Sequence, residues 1–163
     1  METNVFIALG SNQGDRELNL LRAIAEVGKL PGCRVTAVSH FYDTEPVGDI
    51  PQDNFLNAAI RIETELPPDA LLTELQRIET GVFGRKRGVQ WGPRPIDLDI
   101  LFYGEVVADG PMLTIPHPRL HERRFVLQPL ADITPDFRHP LLGKSVQELL
   151  AGVTGTERVT RIK

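Results

Sequence analysis

The chain has 163 residues, 41% hydrophobic and 25% charged, with a net charge of −4, enough apolar material for one domain spanning 1–163 that needs no covalent staples. The acidic balance argues against a broad phosphate-neutralising surface, so no nucleic-acid partner is expected and any basic patch must be local. Cys33 is the single cysteine and no apolar run reaches signal or membrane-spanning length, so a cytoplasmic monomer with no membrane partner is expected.

Residues 5–9 form a short apolar strand that stops at Gly10-Ser11-Asn12, a turn cluster. From 15 to 29 the pattern is helical, with Leu18, Leu21, Ala25 and Gly28 on one stripe, Ile24 beside it and Asp15 as N-cap. Residues 34–42 read as a second strand. Residues 43–54 hold too many Asp, Pro and Gly for either period and read as a loop. A third strand runs over 55–65, with Leu56, Ala58, Ile60 and Ile62 on one face and Asn57, Arg61 and Glu63 on the other. Pro67-Pro68-Asp69 opens a second helix reaching about 83, its inner face Leu71, Leu72, Leu75, Ile78 and Val82.

A loop at 84–94 precedes a strand at 95–102, and Val106-Val107 reads as a short hairpin partner of that strand. A loop at 115–121, a helix at 125–133 and a C-terminal helix at 145–151 complete the chain. The order β-α-β-β-α-β predicts an α+β, ferredoxin-like sandwich: an antiparallel sheet with helices on one face and a C-terminal helical segment. The second face is left for a ligand or for that segment.

The 95–102 strand carries the most informative residues. Ile96, Leu98 and Ile100 point one way, so Asp97 and Asp99 point the other, with Cα atoms about 6.5–7 Å apart. Two carboxylates so placed can converge on one cation, or on two ions about 3.5–4 Å apart. Without a cation they repel. A charged edge strand that blocks aggregation is the competing explanation. The preceding loop favours the cation, because Arg85, Lys86, Arg87 and Arg94 alternate there with Gly84, Gly88, Gly92 and Trp91. Guanidinium forks on a glycine-rich loop suit phosphate oxygens. A nucleic-acid groove fits less well, since the chain is acidic and poor in aromatics.

Phe55 and Asn57 share one strand face, and a buried amide offers the donor and acceptor needed to read a flat heterocycle. Phe125 lies beside Arg123-Arg124, which suits a planar anionic ligand. His117 is fixed between Pro116 and Pro118, while His40, His121 and His139 have no zinc-site spacing. Gly143-Lys144-Ser145 imitates a phosphate loop, but Arg138 stands where that motif needs glycine, so the segment reads as the start of the last helix. No nucleophile elbow occurs and Cys33 has no histidine partner in the sequence pattern. Direct transfer between two bound substrates fits better than covalent catalysis. Three classes stay open on the residues alone: phosphoryl-type transfer, palm-like nucleotidyl transfer or cyclisation, and a non-enzymatic ferredoxin-like binding module.

Several strings taken together resemble 6-hydroxymethyl-7,8-dihydropterin pyrophosphokinases of folate biosynthesis. They are Ala8-Leu9-Gly10-Ser11-Asn12, Phe41-Tyr42-x-Thr44, Phe55-Leu56-Asn57-Ala58, Trp91-Gly92-Pro93-Arg94-Pro95-Ile96-Asp97-Leu98-Asp99-Ile100, Ile115-Pro116-His117-Pro118 and Arg123-x-Phe125. The likeness runs over about residues 5–140, in the family's order. It implies transfer of pyrophosphate from ATP to the pterin hydroxymethyl group, with AMP released. It implies that Asp97 and Asp99 hold two magnesium ions. Thr44, Val47 and Gly48 would offer the pterin backbone contacts, Asn57 would bond its edge, and Phe55 and Phe125 would stack on its faces. Gln76, Glu79, Trp91, Ile100, Thr114, His117 and Arg123 would line ATP, with Arg85, Arg87 and Arg94 acting on the phosphates from the closing loop. Glu45, Gln90 and Pro118 depart from residues common in the family, away from the metal pair.

Overall fold

In the computed structural model the described residues are 2–45, 53–84, 95–155 and 157–162. Strand β1 (Thr3–Ser11) leads into helix α1 (Arg16–Gly28), whose N-cap Asp15 accepts from Leu18 N. Strands β2 (Cys33–Val38), β3 (Tyr42–Thr44) and β4 (Phe55–Thr64) follow, then α2 (Pro68–Arg77), which opens into a wider π turn at Ile78–Val82. Strand β5 (Asp97–Tyr103) carries the aspartates. Beyond it come a hairpin of β6 (Ala108–Asp109) and β7 (Thr114–Ile115), helices α3 (Arg124–Ile133) and α4 (Val146–Ala151), and strand β8 (Val159–Arg161).

The main sheet runs β5-β1-β4-β3-β8, with β2 sharing β4's outer edge with β3. Its ladders are antiparallel. Taking β2 and β3 as one interrupted strand, this is the expected βαββαβ order and the ferredoxin-like α+β class. The interruption corrects the continuous 34–42 strand. Ser39 leaves the ladder, its N donating to Ala59 O and its Oγ accepting from Ala59 N at 2.8 Å. Strand β3 then enters the segment read as loop.

Two apolar layers sandwich the sheet. On one face Val5, Ile7, Leu9, Ala58, Ile60, Ile96, Leu98 and Ile100 pack against α1 and α2 through Leu20, Ala23, Val27, Leu71, Leu75 and Ile78. Each fully buried Leu or Ile there contributes about 1.5–3 kcal/mol. The expected α1 stripe was misplaced: Leu18 and Leu21 are half exposed, and the inward row is Leu20, Ala23, Val27 with Ile24 beside it. Both stripes have helical spacing, so periodicity within α1 does not choose between them.

Helices are not confined to one face. On the second face Phe6, Ala59, Leu101 and Phe102 pack against α3 and α4 through Val126, Leu127, Leu130, Val146 and Leu149. A β-bulge adds a residue to this layer. Phe6 pairs with Phe102 and Ile7 with Ile100, so Leu101 is an extra residue in β5 and both Leu101 and Phe102 face the second layer.

The expected hairpin at Val106-Val107 lies instead at β6 and β7, apart from β5's ladder, and both valines are exposed. Ser145 caps α4 in a reciprocal box with Glu148, which accounts for Gly143-Lys144-Ser145 as a helix start. Among the described residues no helix is long and apolar enough to cross a membrane.

Candidate active site

The turn expected at Gly10-Ser11-Asn12 is in fact the end of β1, because strand partners flank it on both sides. Gly10 pairs with Asn57 on β4 and with Asp97 on β5, and Asn57 pairs in turn with Tyr42 on β3. One transverse row therefore reads Asp97, Gly10, Asn57, Tyr42, all on the α3 face. The next row holds Asp99, Ala8 and Ala59. At about 4.8 Å per strand, Asp97 and Asn57 lie about 10 Å apart across Gly10. The small residues between them leave a shallow floor.

Asn57 is 8% exposed and its Nδ2 donates to Thr44 Oγ1 at 2.6 Å. The Thr44 hydroxyl donates onward to Phe55 O at 3.4 Å. That chain turns Asn57 Oδ1 over Gly10, where an added Cβ would sit 2.8 Å from Oδ1 and 3.6 Å from the Phe55 ring. Phe55, Asn57 and Thr44 thus share one corner of the sheet. Phe125, in the first turn of α3, packs on the same layer with the Arg123 guanidinium 5.6 Å from its ring centre.

Around the aspartates, His117 N donates to Leu101 O at 3.0 Å, tying the loop after the cis Ile115–Pro116 bond to β5. His117 Nδ1 accepts from Arg119 N at 3.2 Å, which places the ring proton on Nε2. Burial pushes its pKa down to about 4, Arg123 adding to the effect and Asp97 opposing it. The ring is a neutral donor. Burial also lowers the pKa of Arg123, while the charges of Asp99 and Asp97 act the other way and favour its cation.

Glu79, in the π turn after α2, is 6% exposed and its Oε2 accepts from Leu98 N at 2.8 Å, between the two aspartates. The Ile100 side chain lies in the α1/α2 core. Gln76 is half buried near the end of α2, and Thr114 Oγ1 donates to Asp109 Oδ1 at 3.3 Å within the hairpin. Val47, Gly48, Arg85, Arg87, Trp91 and Arg94 lie outside the described residues. Cys33 bonds Thr64 Oγ1 at 3.1 Å, and burial pushes its thiol pKa up, which suits a structural role.

Sequence reasoning overlooked two residues here. Gly10 could have been read from a glycine breaking an apolar strand run, a mark of close approach. Asp132 had no local signal: its Oδ2 takes the Tyr42 hydroxyl at 2.7 Å and His40 N at 3.2 Å across 90 or more residues. Burial, with the bond to Asp132, pushes Tyr42 up to about 12.

Residues 6–135 match the family described as 7,8-dihydro-6-hydroxymethylpterin-pyrophosphokinase (HPPK). The chain belongs to the HPPK family. A 2-amino-4-hydroxy-6-hydroxymethyldihydropteridine pyrophosphokinase of Methylorubrum extorquens is 45% identical over 159 residues, 96% of this chain and 99% of its own. One of the same name from Bacillus subtilis is 48% identical over 133 residues, covering 82% of this chain and 79% of that one. A longer relative, the mitochondrial folate synthesis bifunctional protein of Arabidopsis thaliana, is 50% identical over 132 residues, 81% of this chain but 24% of its own. A crystal structure of a Plasmodium falciparum HPPK-DHPS triple mutant superposes with TM-score 0.72 at 18% identity, over 93% of this chain and 44% of that one, and shows the shared fold. As an HPPK, the chain is a diphosphotransferase of folate biosynthesis. Neither nucleotidyl transfer nor a purely binding role is supported.

Proposed function

We propose that this HPPK holds ATP over the Asp97–Asp99 end of the sheet and the dihydropterin over the Asn57 end, so that the hydroxymethyl oxygen meets the β-phosphorus between them. The observation that carries this reading is the single row Asp97, Gly10, Asn57 on one face. A flat ring bonded at Asn57 and a phosphate chain held at Asp97 would meet within the roughly 10 Å between them.

Asp97 and Asp99 are the residues that would hold magnesium, two ions on the family pattern. Their hard carboxylate oxygens fit that ion, and no third His, Cys, Asp or Glu completes a metal set among the described residues, which leaves coordination positions for phosphate and water. When bound, the ions supply positive charge to the phosphate oxygens.

The protein's own groups do the rest. Asn57 Oδ1 accepts from an N–H on the pterin edge, and Thr44 keeps that amide from rotating. Phe55 and Phe125 stack against the ring faces. His117 Nε2 donates to a phosphate oxygen, and Arg123 adds a fixed cation there. Arg85, Arg87, Trp91 and Arg94 close over the phosphates and exclude water. Gln76, Glu79 and Thr114 border the nucleotide, Ile100 reaches it through its backbone alone because its side chain lies in the core, and Val47 and Gly48 contribute backbone to the pterin. His117 is a poor general base, since its Nδ1 lone pair is already used. Catalysis is then positioning and charge stabilisation of an in-line displacement.

Incubation with ATP, magnesium and the hydroxymethyl pterin should release AMP. Release of pyrophosphate instead would refute the reading.

A further inference from the structure

The family match ends at residue 135, yet the end of the chain returns to the sheet beside the pterin corner. Strand β8 pairs with β3 in the register Tyr42 to Arg161, Asp43 to Thr160 and Thr44 to Val159. Flanking bonds extend the ladder: Ile162 N donates to Phe41 O at 2.9 Å and Glu45 N to Arg158 O at 3.3 Å. Antiparallel pairs alternate, so Asp43 and Thr160, midway between those two, also exchange N–H and C=O.

The approach to β8 is fixed by one side chain. Arg124 Nη1 donates to Gly155 O at 2.7 Å and Glu157 O at 3.4 Å, and Nη2 to Val153 O at 3.2 Å. Arg124 sits between Arg123 and Phe125 at the start of α3, so the tail is tied to the helix turn that faces the site.

We infer that the C-terminal strand is a positioning element of the pterin corner, with Arg124 as its anchor. Strand β3 has three residues, too few to keep their place on β4 as an unprotected edge. Thr44 is 1% exposed and is the group that orients Asn57. If β8 lifts away, water reaches the outer edge of β3, Thr44 drifts, and the Asn57 amide turns with it. The inference rests on the pterin reading of Thr44 and Asn57.

Arg124→Gln and Thr160→Pro test it, the second by removing the N–H that faces Asp43. With AMP release followed while each substrate is varied, both variants should raise the pterin KM about tenfold and leave the ATP KM within about twofold. Arg124→Lys, able to reach one carbonyl, should fall between. Val27→Ala, in the opposite layer, serves as a control that lowers the melting temperature without touching this corner. Wild-type pterin KM in a folded Arg124→Gln or Thr160→Pro protein overturns the inference. So does a pterin KM that rises in Val27→Ala in step with lost stability. A wild-type protein that releases no AMP from ATP and the pterin would instead sink the underlying reading.

Discussion

Replacing Gly10 by Ala places one methyl where the Asn57 amide lies. The backbone tolerates it, because Gly10 is not among the glycines with positive φ. The contact does not: the new Cβ would stand 2.8 Å from Asn57 Oδ1. Asn57 cannot rotate freely, since its Nδ2 is committed to Thr44 Oγ1 at 2.6 Å in a buried corner. Relief requires breaking that bond or pushing β4 away from β1, at about 1–3 kcal/mol by either route. At 1.4 kcal/mol per decade, the pterin KM should rise about 5–140-fold. The ATP KM should hold within about twofold, and for a domain of this size the melting temperature should fall by several degrees. Steady-state kinetics with each substrate varied, alongside a thermal melt, measures all three. A folded Gly10→Ala protein with an unchanged pterin KM would refute the placement of Asn57 over Gly10.

Asp97→Ala or Asp99→Ala should lower turnover by about a thousandfold or more with the melt preserved, because removing one like charge relieves repulsion on the strand. Wild-type rates from either variant, assayed across a magnesium titration, would remove the metal role. Phe125→Ala should weaken pterin binding by about 1–3 kcal/mol and ATP binding much less; equal losses in calorimetry would count against stacking. His117, with its pKa pushed down to about 4 in the folded protein against about 6.5 in the unfolded chain, should stay neutral by NMR from pH 8 to about 5. The unfolded chain takes up that proton first, so this histidine should erode stability as pH falls from about 6.5 toward 4, and be silent above 7. A ring titrating near 6.5 in the folded protein would contradict the burial argument. His139 adds to the same acid loss. Its Nδ1 accepts from Leu141 N and Leu142 N at 3.1 Å, and burial, then His121, lower its pKa.

Periodicity made the sheet legible wherever one face is apolar without interruption. The alternation through Ile96, Leu98 and Ile100 by itself places both aspartates on the other face. Helix starts were legible from local residues too, as with the cap at Asp15 and the start of the last helix near Ser145. Features set by distant partners were not. Leu18 and Leu21 are as apolar and as well spaced as Leu20 and Ala23, and nothing within α1 decides between the two stripes. Strand β8 is too short and polar to announce itself, and it exists because β3 offers it an edge. At the candidate site, the resemblance supplied roles that composition could not. The structure brings Asp97, Asp99, Asn57, Thr44, Phe55 and Phe125 to one side of the sheet, with His117 and Arg123 close to the carboxylates. Ile100 is turned inward as the alternation implies, whereas the bond from Leu98 N to the buried Glu79 carboxylate has no signal in either sequence neighbourhood.

The surplus residue in β5 joins the strand's irregularity to its chemistry. A strand one residue shorter would alternate without fault and carry Phe102 where Leu101 now sits. The extra residue also supplies an acceptor, since Leu101 O receives the His117 amide at 3.0 Å beside the point where the ladder shifts register. The irregularity in the ladder thus coincides with the tie between β5 and the segment after the cis Ile115–Pro116 bond, and Arg119 N on His117 Nδ1 completes the hold on the ring, so residues 117–119 form one unit with the bulge.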